Sequence, residues 1–308
     1  MPKPFGTGAR PSHKDLRTKR FTYQPVKGGA PIPAPVKAGS PYEPQFIEMQ
    51  AKEGICTAIH LTQMAHKVTG TEYSADFQYL MQKVLFDSKY PIGWGEGSSN
   101  LVAYKTAAQV GFLPQSEWTH TTQADRNLPY DQYIAKLRAI PQAEIDRLTA
   151  IAGQNKLLSA YQPVPLTRDA IASAIQESQA GVACMFRVDK HWWTNKAGQS
   201  SWSASDLEPI GAPTDPATTD GHAIIMSNVD GNSWRVANTW STDWAEQGTA
   251  YSTFDYMPQE CWLLHFTILG QTPSPQVQQL LAQKTQLQHT LLGLLQQLLA
   301  KLLKQYHP

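Results

Sequence analysis

An α+β fold is expected, with helices in the first half of the chain and strands in the second. Three observations carry that expectation. From Cys56 onward, apolar residues recur at helical spacing through successive segments. After Gly181 the pattern changes to short apolar runs, and Asp230-Gly231 between two of them is a hairpin signal. Runs of helices followed by runs of strands indicate α+β organisation.

Residues 1–45 contain nine prolines, and Ala30-Pro-Ile-Pro-Ala-Pro-Val36 favours polyproline geometry without internal hydrogen bonds. Such a segment builds no core of its own and is expected to be an extended arm, ordered only by lying along the body. The first helix starts at Cys56, places Leu61, Met64, Ala65 and Val68 on one face, and stops at Gly70. The second follows Ser74, with Phe77, Leu80, Met81, Val84 and Leu85 facing inward. A third runs from about Ser99 to Val110, capped by Ser98 or Ser99 and ended by Gly111. The glycine-rich stretch 91–97 between them is a loop. Residues 131–180 read as further helices, one capped by Thr167 and carrying Ala170, Ile171, Ala174 and Ile175. Strands are expected at Val182–Val188, His222–Val229, Ser233–Asn238 and Cys261–Leu269, with 196–220 as a long loop. From Pro275 the chain is Gln- and Leu-rich, and Leu280, Leu287, Leu291, Leu294, Leu298 and Leu302 lie along one helical stripe. That face is too broad for a helix alone in water. Self-association is the favoured reading, beside packing on the body or binding another protein or a membrane surface. Three segments result: an arm at 1–45, a body at 46–270 and an amphipathic helix at 271–308.

At 308 residues the chain can bury a substantial core. Three cysteines argue against a disulfide framework. No stretch has a signal-peptide core or is long and apolar enough to span a bilayer, so a cytoplasmic setting is expected. The net charge of +1 hides an asymmetry: residues 1–40 hold eight Lys or Arg and one acid, and 276–308 hold three Lys and none. Two basic ends flank an acidic body, and they either lie on it or meet an anionic partner. Nothing in the pattern requires nucleic acid. Metal and phosphate chemistry are not indicated, since there is no Cys-x-x-Cys pair, no His-Glu-x-x-His helix and no phosphate-cradling glycine loop. No cofactor is implied.

The chemistry is concentrated in Gln50, Cys56, His222 and Asn238. A cysteine attacks a carbonyl, a histidine holds its proton, and an amide orients the histidine. A second amide near the nucleophile can donate to a developing oxyanion. Cys56 stands at a helix start, where unsatisfied N–H groups favour a thiolate. Cys184 and Cys261 lie in apolar strand runs and read as buried small hydrophobes. Among nine histidines, His222 follows Gly221 at the head of an apolar strand. His60 and His66 are nearer to Cys56 in sequence, but His60 lies one turn along the same helix, and His191 falls in a polar run. Asn238 ends the second hairpin strand, and Trp240 and Trp244 could shield its bond to the histidine.

The run Asn238-Thr-Trp-Ser-Thr-Asp-Trp-Ala-Glu-Gln-Gly248 resembles the papain-family stretch Asn-Ser-Trp-Gly-x-x-Trp-Gly-x-x-Gly. The step from Gln50 to Cys56 is similar to that family's glutamine and nucleophile, Gly221-His222-Ala223 to its histidine motif, and Glu96-Gly97 to its Gly-Gly strand. The resemblance covers roughly residues 45–269. It implies a two-lobed fold, with a helical lobe carrying Cys56 and an antiparallel sheet or barrel carrying His222 and Asn238. It also implies a thiol endopeptidase acting on extended peptides, with Cys56, His222, Asn238 and Gln50 catalytic. Glu96, Gly97 and Gly221 would line the substrate cleft, with Trp240 beside them. The chain departs from the family at Thr57, where an aromatic is usual, at Glu53, where a cysteine is usual, and at Ser241, Asp243 and Ala245, where glycines are usual. Two other classes remain: an assembly protein, for example virion-associated, retaining this body and oligomerising through 276–308, and another Cys-His acyl transferase such as a transglutaminase or amidase. The proline-rich arm, directly upstream of Gln50, is expected to lie in the cleft and block it.

Overall fold

A computed structural model of the chain describes residues 9–10, 50, 54–89, 93–178, 180–188, 192, 220–230, 233–245, 247–267, 283, 286, 290 and 293–297. Its contacts divide the chain into Met1–Phe266 and Thr267–Pro308. Most of the arm, the loop at 196–219 and the end of the last expected strand lie outside the described residues. In the second unit residues 283, 286, 290 and 293–297 are helical, and Leu294 and Leu295 are exposed.

The helical part of the first unit is set by its caps. Helix α1, Cys56–Thr69, ends at Gly70, whose positive φ of 72° lets its N–H return to the His66 carbonyl. Helix α2, Ala75–Leu85, is capped by Ser74, and α3, Asn100–Val110, by Ser99. Helices α4, Tyr130–Arg138, and α5, Gln142–Ala152, follow, and Phe77, Leu80, Leu113, Trp118, Tyr133, Leu137 and Leu148 form their common core. A buried bidentate pair, Arg126 to Asp76, holds the turn before α4 against α2, and the Tyr133 hydroxyl donates to the same carboxylate. Every residue of α1 from Cys56 to Ala65 is buried, so this helix runs through the interior instead of floating on a surface. Its buried polar side chains are bonded: Thr57 donates to Gln82, Thr62 to the Ile59 carbonyl and Gln63 to the Asn238 carbonyl.

Eight strands are described. Two are short, β1 at Ala9–Arg10 and β2 at Ser98–Ser99, and they pair in parallel. The others are β3, Leu158–Pro163; β4, Val182–Val188; β5, Asp220–Asp230; β6, Ser233–Ala237; β7, Thr249–Thr253; and β8, Glu260–Phe266. These six form an open antiparallel sheet in the order β3-β8-β4-β5-β6-β7. Strand alternation separates its two faces. Val182, Cys184, Ile224, Trp234, Val236 and Leu263 pack with helix α6, Arg168–Glu177. Ala183, Ile225, Ala237, Trp262 and Leu264 pack with α1 and α3.

Two expectations are corrected. Residues 131–180 are not all helical, because 158–163 form β3. That segment tolerates Pro163 because it lies at the sheet edge. Strand β7 was not anticipated. It follows a turn in which Ser241, Ala245 and Gln247 have φ of 70°, 47° and 50°, a conformation that hides the strand start from a reading of apolar pattern. Ser241 and Ala245 also occupy two of the positions where glycine is usual. Ala245→Gly is expected to raise stability by about 1 kcal/mol, the left-handed penalty of a Cβ less the extra chain entropy of glycine. Urea denaturation of the two proteins measures it.

Candidate active site

Cys56 is the first residue of α1. No side chain among the described residues caps that terminus, and no acid stands in its first turn, where the helix dipole favours negative charge. The residue is fully buried and packs with Met185 of β4, Ala223 of β5 and Ala9. Cys56, Cys184 and Cys261 all carry thiols. Cys184 and Cys261 face each other across β4 and β8, 3.5 Å apart in the core.

His222 lies near the start of β5 and pairs with Phe186. Its Nε2 stands 2.7 Å from Asn238 Oδ1. The Thr239 N–H donates to that same oxygen at 2.7 Å, which identifies it as the acceptor end of the carboxamide. His222 therefore carries its proton on Nε2 and presents a lone pair at Nδ1. Nδ1 has no hydrogen-bond partner among the described residues. Trp240 is fully buried and stacks on the imidazole at 4.5 Å between centroids, and Trp244 meets Trp240 edge-on. Trp240 thus lies against the imidazole and shields the bond to Asn238 from water. Burial pushes the His222 pKa down to about 3, against the upward pull of the Asn238 bond.

Asn238 follows β6 directly, and its N–H donates to the Gly248 carbonyl. Gln50 is drawn to this corner by two bonds that the sequence did not announce. Its N–H donates to the Thr239 carbonyl at 2.8 Å, and the Thr239 hydroxyl donates to its Oε1 at 2.7 Å. Oε1 accepts that bond, and Nε2 is the donor end of the carboxamide. Thr239 adjoins Asn238, and that adjacency was the available signal for it.

His60, the alternative base, is placed elsewhere. Its Nδ1 lies 2.9 Å from the Cys56 carbonyl and its Nε2 3.3 Å from the Tyr104 hydroxyl. Burial lowers its pKa to about 4.

Glu96 and Gly221 both lie against strand β1, whereas the Gly97 N–H and carbonyl turn toward Tyr79 and Lys83 of α2. Ala9 pairs with Ser98 and Arg10 with Ser99, and the Arg10 guanidinium donates to the Glu96 carbonyl, with Nη2 at 2.5 Å. On the other side, the Ala9 carbonyl lies so close to Gly221 that an added Cβ would meet it at 1.9 Å. Residues 9–10 therefore run between Ser98–Ser99 and Gly221, and Ala9 lies against Cys56.

No protein-family model matches this chain, and no curated protein is detectably similar to it in sequence. Solved structures are similar in shape. Xylellain, a cysteine protease from Xylella fastidiosa, is 20% identical with a TM-score of 0.63, covering 86% of this chain and 98% of that one. Procathepsin B from Trypanosoma congolense is 12% identical with a TM-score of 0.53, over 85% and 87% of the two chains. Digestive procathepsin L 3 of Tenebrio molitor is 13% identical with a TM-score of 0.51, over 85% and 76%.

The chain has the papain-like fold. In this papain-like fold, Cys56 opens the central helix of the helical lobe, while His222 lies on β5 and Asn238 directly follows the neighbouring strand β6 of the sheet lobe. Among the described residues no helix is long and apolar enough to cross a membrane.

His60, His222 and His265 all have pKa values lowered by burial, to about 4, 3 and 4 from 6.5. Below pH 6.5 the unfolded chain binds more protons than the folded one, so this contribution to stability is intact above pH 6.5 and is lost as pH falls toward 4. Denaturation midpoints measured from pH 7 to 4.5 should fall with acid, and His265→Gln should make the fall shallower.

Proposed function

We propose that the protein is a thiol endopeptidase acting on extended peptide or protein substrates. Cys56 is the nucleophile, His222 the base and later the acid, and Asn238 the group that orients His222. Gln50 and the Cys56 N–H donate to the oxyanion. One observation carries the reading: the 2.7 Å contact of His222 Nε2 with Asn238 Oδ1, which puts the imidazole lone pair on Nδ1. It occurs in a papain-like fold whose helix start bears a thiol.

In the proposed reaction the thiol proton passes to His222 Nδ1 and sulfur attacks the carbonyl carbon. The tetrahedral oxyanion accepts from Gln50 Nε2 and the backbone. Collapse expels the amine, which takes the proton from His222, and water then hydrolyses the thioester by the reverse path. A His222 buried with a pKa of about 3 is a poor proton acceptor, and solvation on opening the cleft would raise that pKa.

Part of the arm lies beside the proposed nucleophile. Ala9 lies against Cys56 and Gly221, and Arg10 on the Glu96 carbonyl, which supports a latent enzyme whose own arm occupies the cleft. An electrophilic peptide probe tests both ideas. It should label the wild-type protein, fail on Cys56→Ala, and react at least about two orders of magnitude more slowly with His222→Ala. Gln50→Ala should lower kcat about 10²–10³-fold. Removing residues 1–40 should accelerate labelling. Equal labelling of Cys56→Ala would end the peptidase reading, and unchanged labelling of the trimmed chain would end the latency reading alone.

A further inference from the structure

Beneath the cleft wall lies a buried cation that the reaction does not use. Lys83, near the end of α2, is fully buried. Its ammonium reaches the Gly95 carbonyl at 2.6 Å, the Gly97 carbonyl at 2.5 Å and the Asp87 carboxylate at 3.1 Å. The two carbonyls accept hydrogen bonds from the ammonium, and the carboxylate forms an ion pair with it. One turn earlier, the Tyr79 hydroxyl accepts the Gly97 N–H at 3.1 Å, and its ring lies under the ammonium. The Tyr130 hydroxyl meets Tyr79 and reaches the Trp94 and Gly95 carbonyls.

These contacts determine which way the loop presents itself. Both polar groups of Gly97 and the carbonyl of Gly95 are turned toward α2, and φ of 81° at Gly97 permits the turn. The carbonyl between them, that of Glu96, points the other way and accepts the Arg10 guanidinium. Strand β2, the edge that pairs with the arm, begins at the next residue after Gly97. A buried ammonium is expensive to desolvate, and an apolar side chain would fill the same space at no such cost. Burial lowers the Lys83 pKa while Asp87 and Glu96 pull it up and Arg10 pushes it down, and Asp87 is raised in turn by its own burial.

We propose that Lys83 is a positioning residue for substrate: by drawing the Gly95 and Gly97 carbonyls inward, it aims the Glu96 carbonyl and the β2 edge into the cleft as the acceptors of a bound peptide. The proposal rests on the peptidase reading for what the cleft binds. Arg10 shows the kind of group that the acceptor takes, a cationic donor carried on an extended strand.

The test compares full-length proteins carrying Arg10→Ala, so that the arm's guanidinium does not compete for the Glu96 carbonyl, with and without Lys83→Met plus Asp87→Asn. The second substitution avoids stranding a buried carboxylate. Hydrogen–deuterium exchange of segment 93–99 should accelerate at least about tenfold while 56–69 keeps its protection. For a peptide substrate KM should rise at least about fivefold with kcat within about twofold, because the reacting groups are untouched. Unchanged exchange and KM in the folded variant would overturn the proposal. So would exchange that quickens equally along 56–69, which marks a merely structural lysine, or a fall in kcat at constant KM. Where the double substitution prevents folding, Lys83→Gln is judged by the same readouts. Absence of turnover with Lys83 intact is the latent state proposed above; the exchange comparison then decides for or against Lys83, and probe labelling of Cys56 decides the peptidase reading separately.

Discussion

The docking of the first turn of α1 onto strands β4 and β5 is the constraint on which the rest of this molecule depends. Cys56 is buried between Met185 and Ala223, and the helix it begins is buried for its first ten residues. A helix that gives up every face to protein must satisfy its polar side chains internally, and this one does so partly through the sheet lobe, where Gln63 donates to the Asn238 carbonyl. The same contact surface that excludes water also brings a helix N-terminus to the strand that carries His222. Stability and the proposed chemistry therefore draw on one interface.

Around that interface the polar groups form a short chain of fixed directions. Thr239 holds Gln50 by backbone and side chain, and its own N–H fixes the orientation of the Asn238 carboxamide. Asn238 fixes the tautomer of His222, and Trp240 closes one side of the ring. Each partner has its alternatives removed by a neighbour, which is the kind of pre-organisation that the proposed chemistry requires. The same logic holds with other chemistry in the glycine-rich loop, where Lys83 and Tyr130 reach its carbonyls and Tyr79 accepts the Gly97 N–H.

Helix positions were legible because capping and periodicity are local. Ser74, Ser99 and Thr167 each accept from the third residue onward, and Gly70 takes the left-handed position. Strands β4, β5 and β6 were legible from short apolar runs and the Asp230-Gly231 hairpin signal in the sequence. Strand β3 was not, because an edge strand needs only one paired side and tolerates Pro163 in a run that otherwise reads as neither helix nor sheet. The β7 strand was hidden behind three non-glycine residues with positive φ, a conformation that sequence does not advertise.

The sequence by itself determined the residue types, the helix starts and the order of Gln50, Cys56, His222 and Asn238, because these depend on neighbours within a few positions or on a motif that survives substitution around it. Only the tertiary structure decided that Thr239 would hold Gln50, that Ala9 and Arg10 would lie between Ser98–Ser99 and Gly221, and that the buried Lys83 ammonium would reach the Gly95 and Gly97 carbonyls. Those outcomes join residues far apart in the chain, and no local preference encodes them. They exist because burial makes a carbonyl or an ammonium seek whichever partner the fold brings within reach.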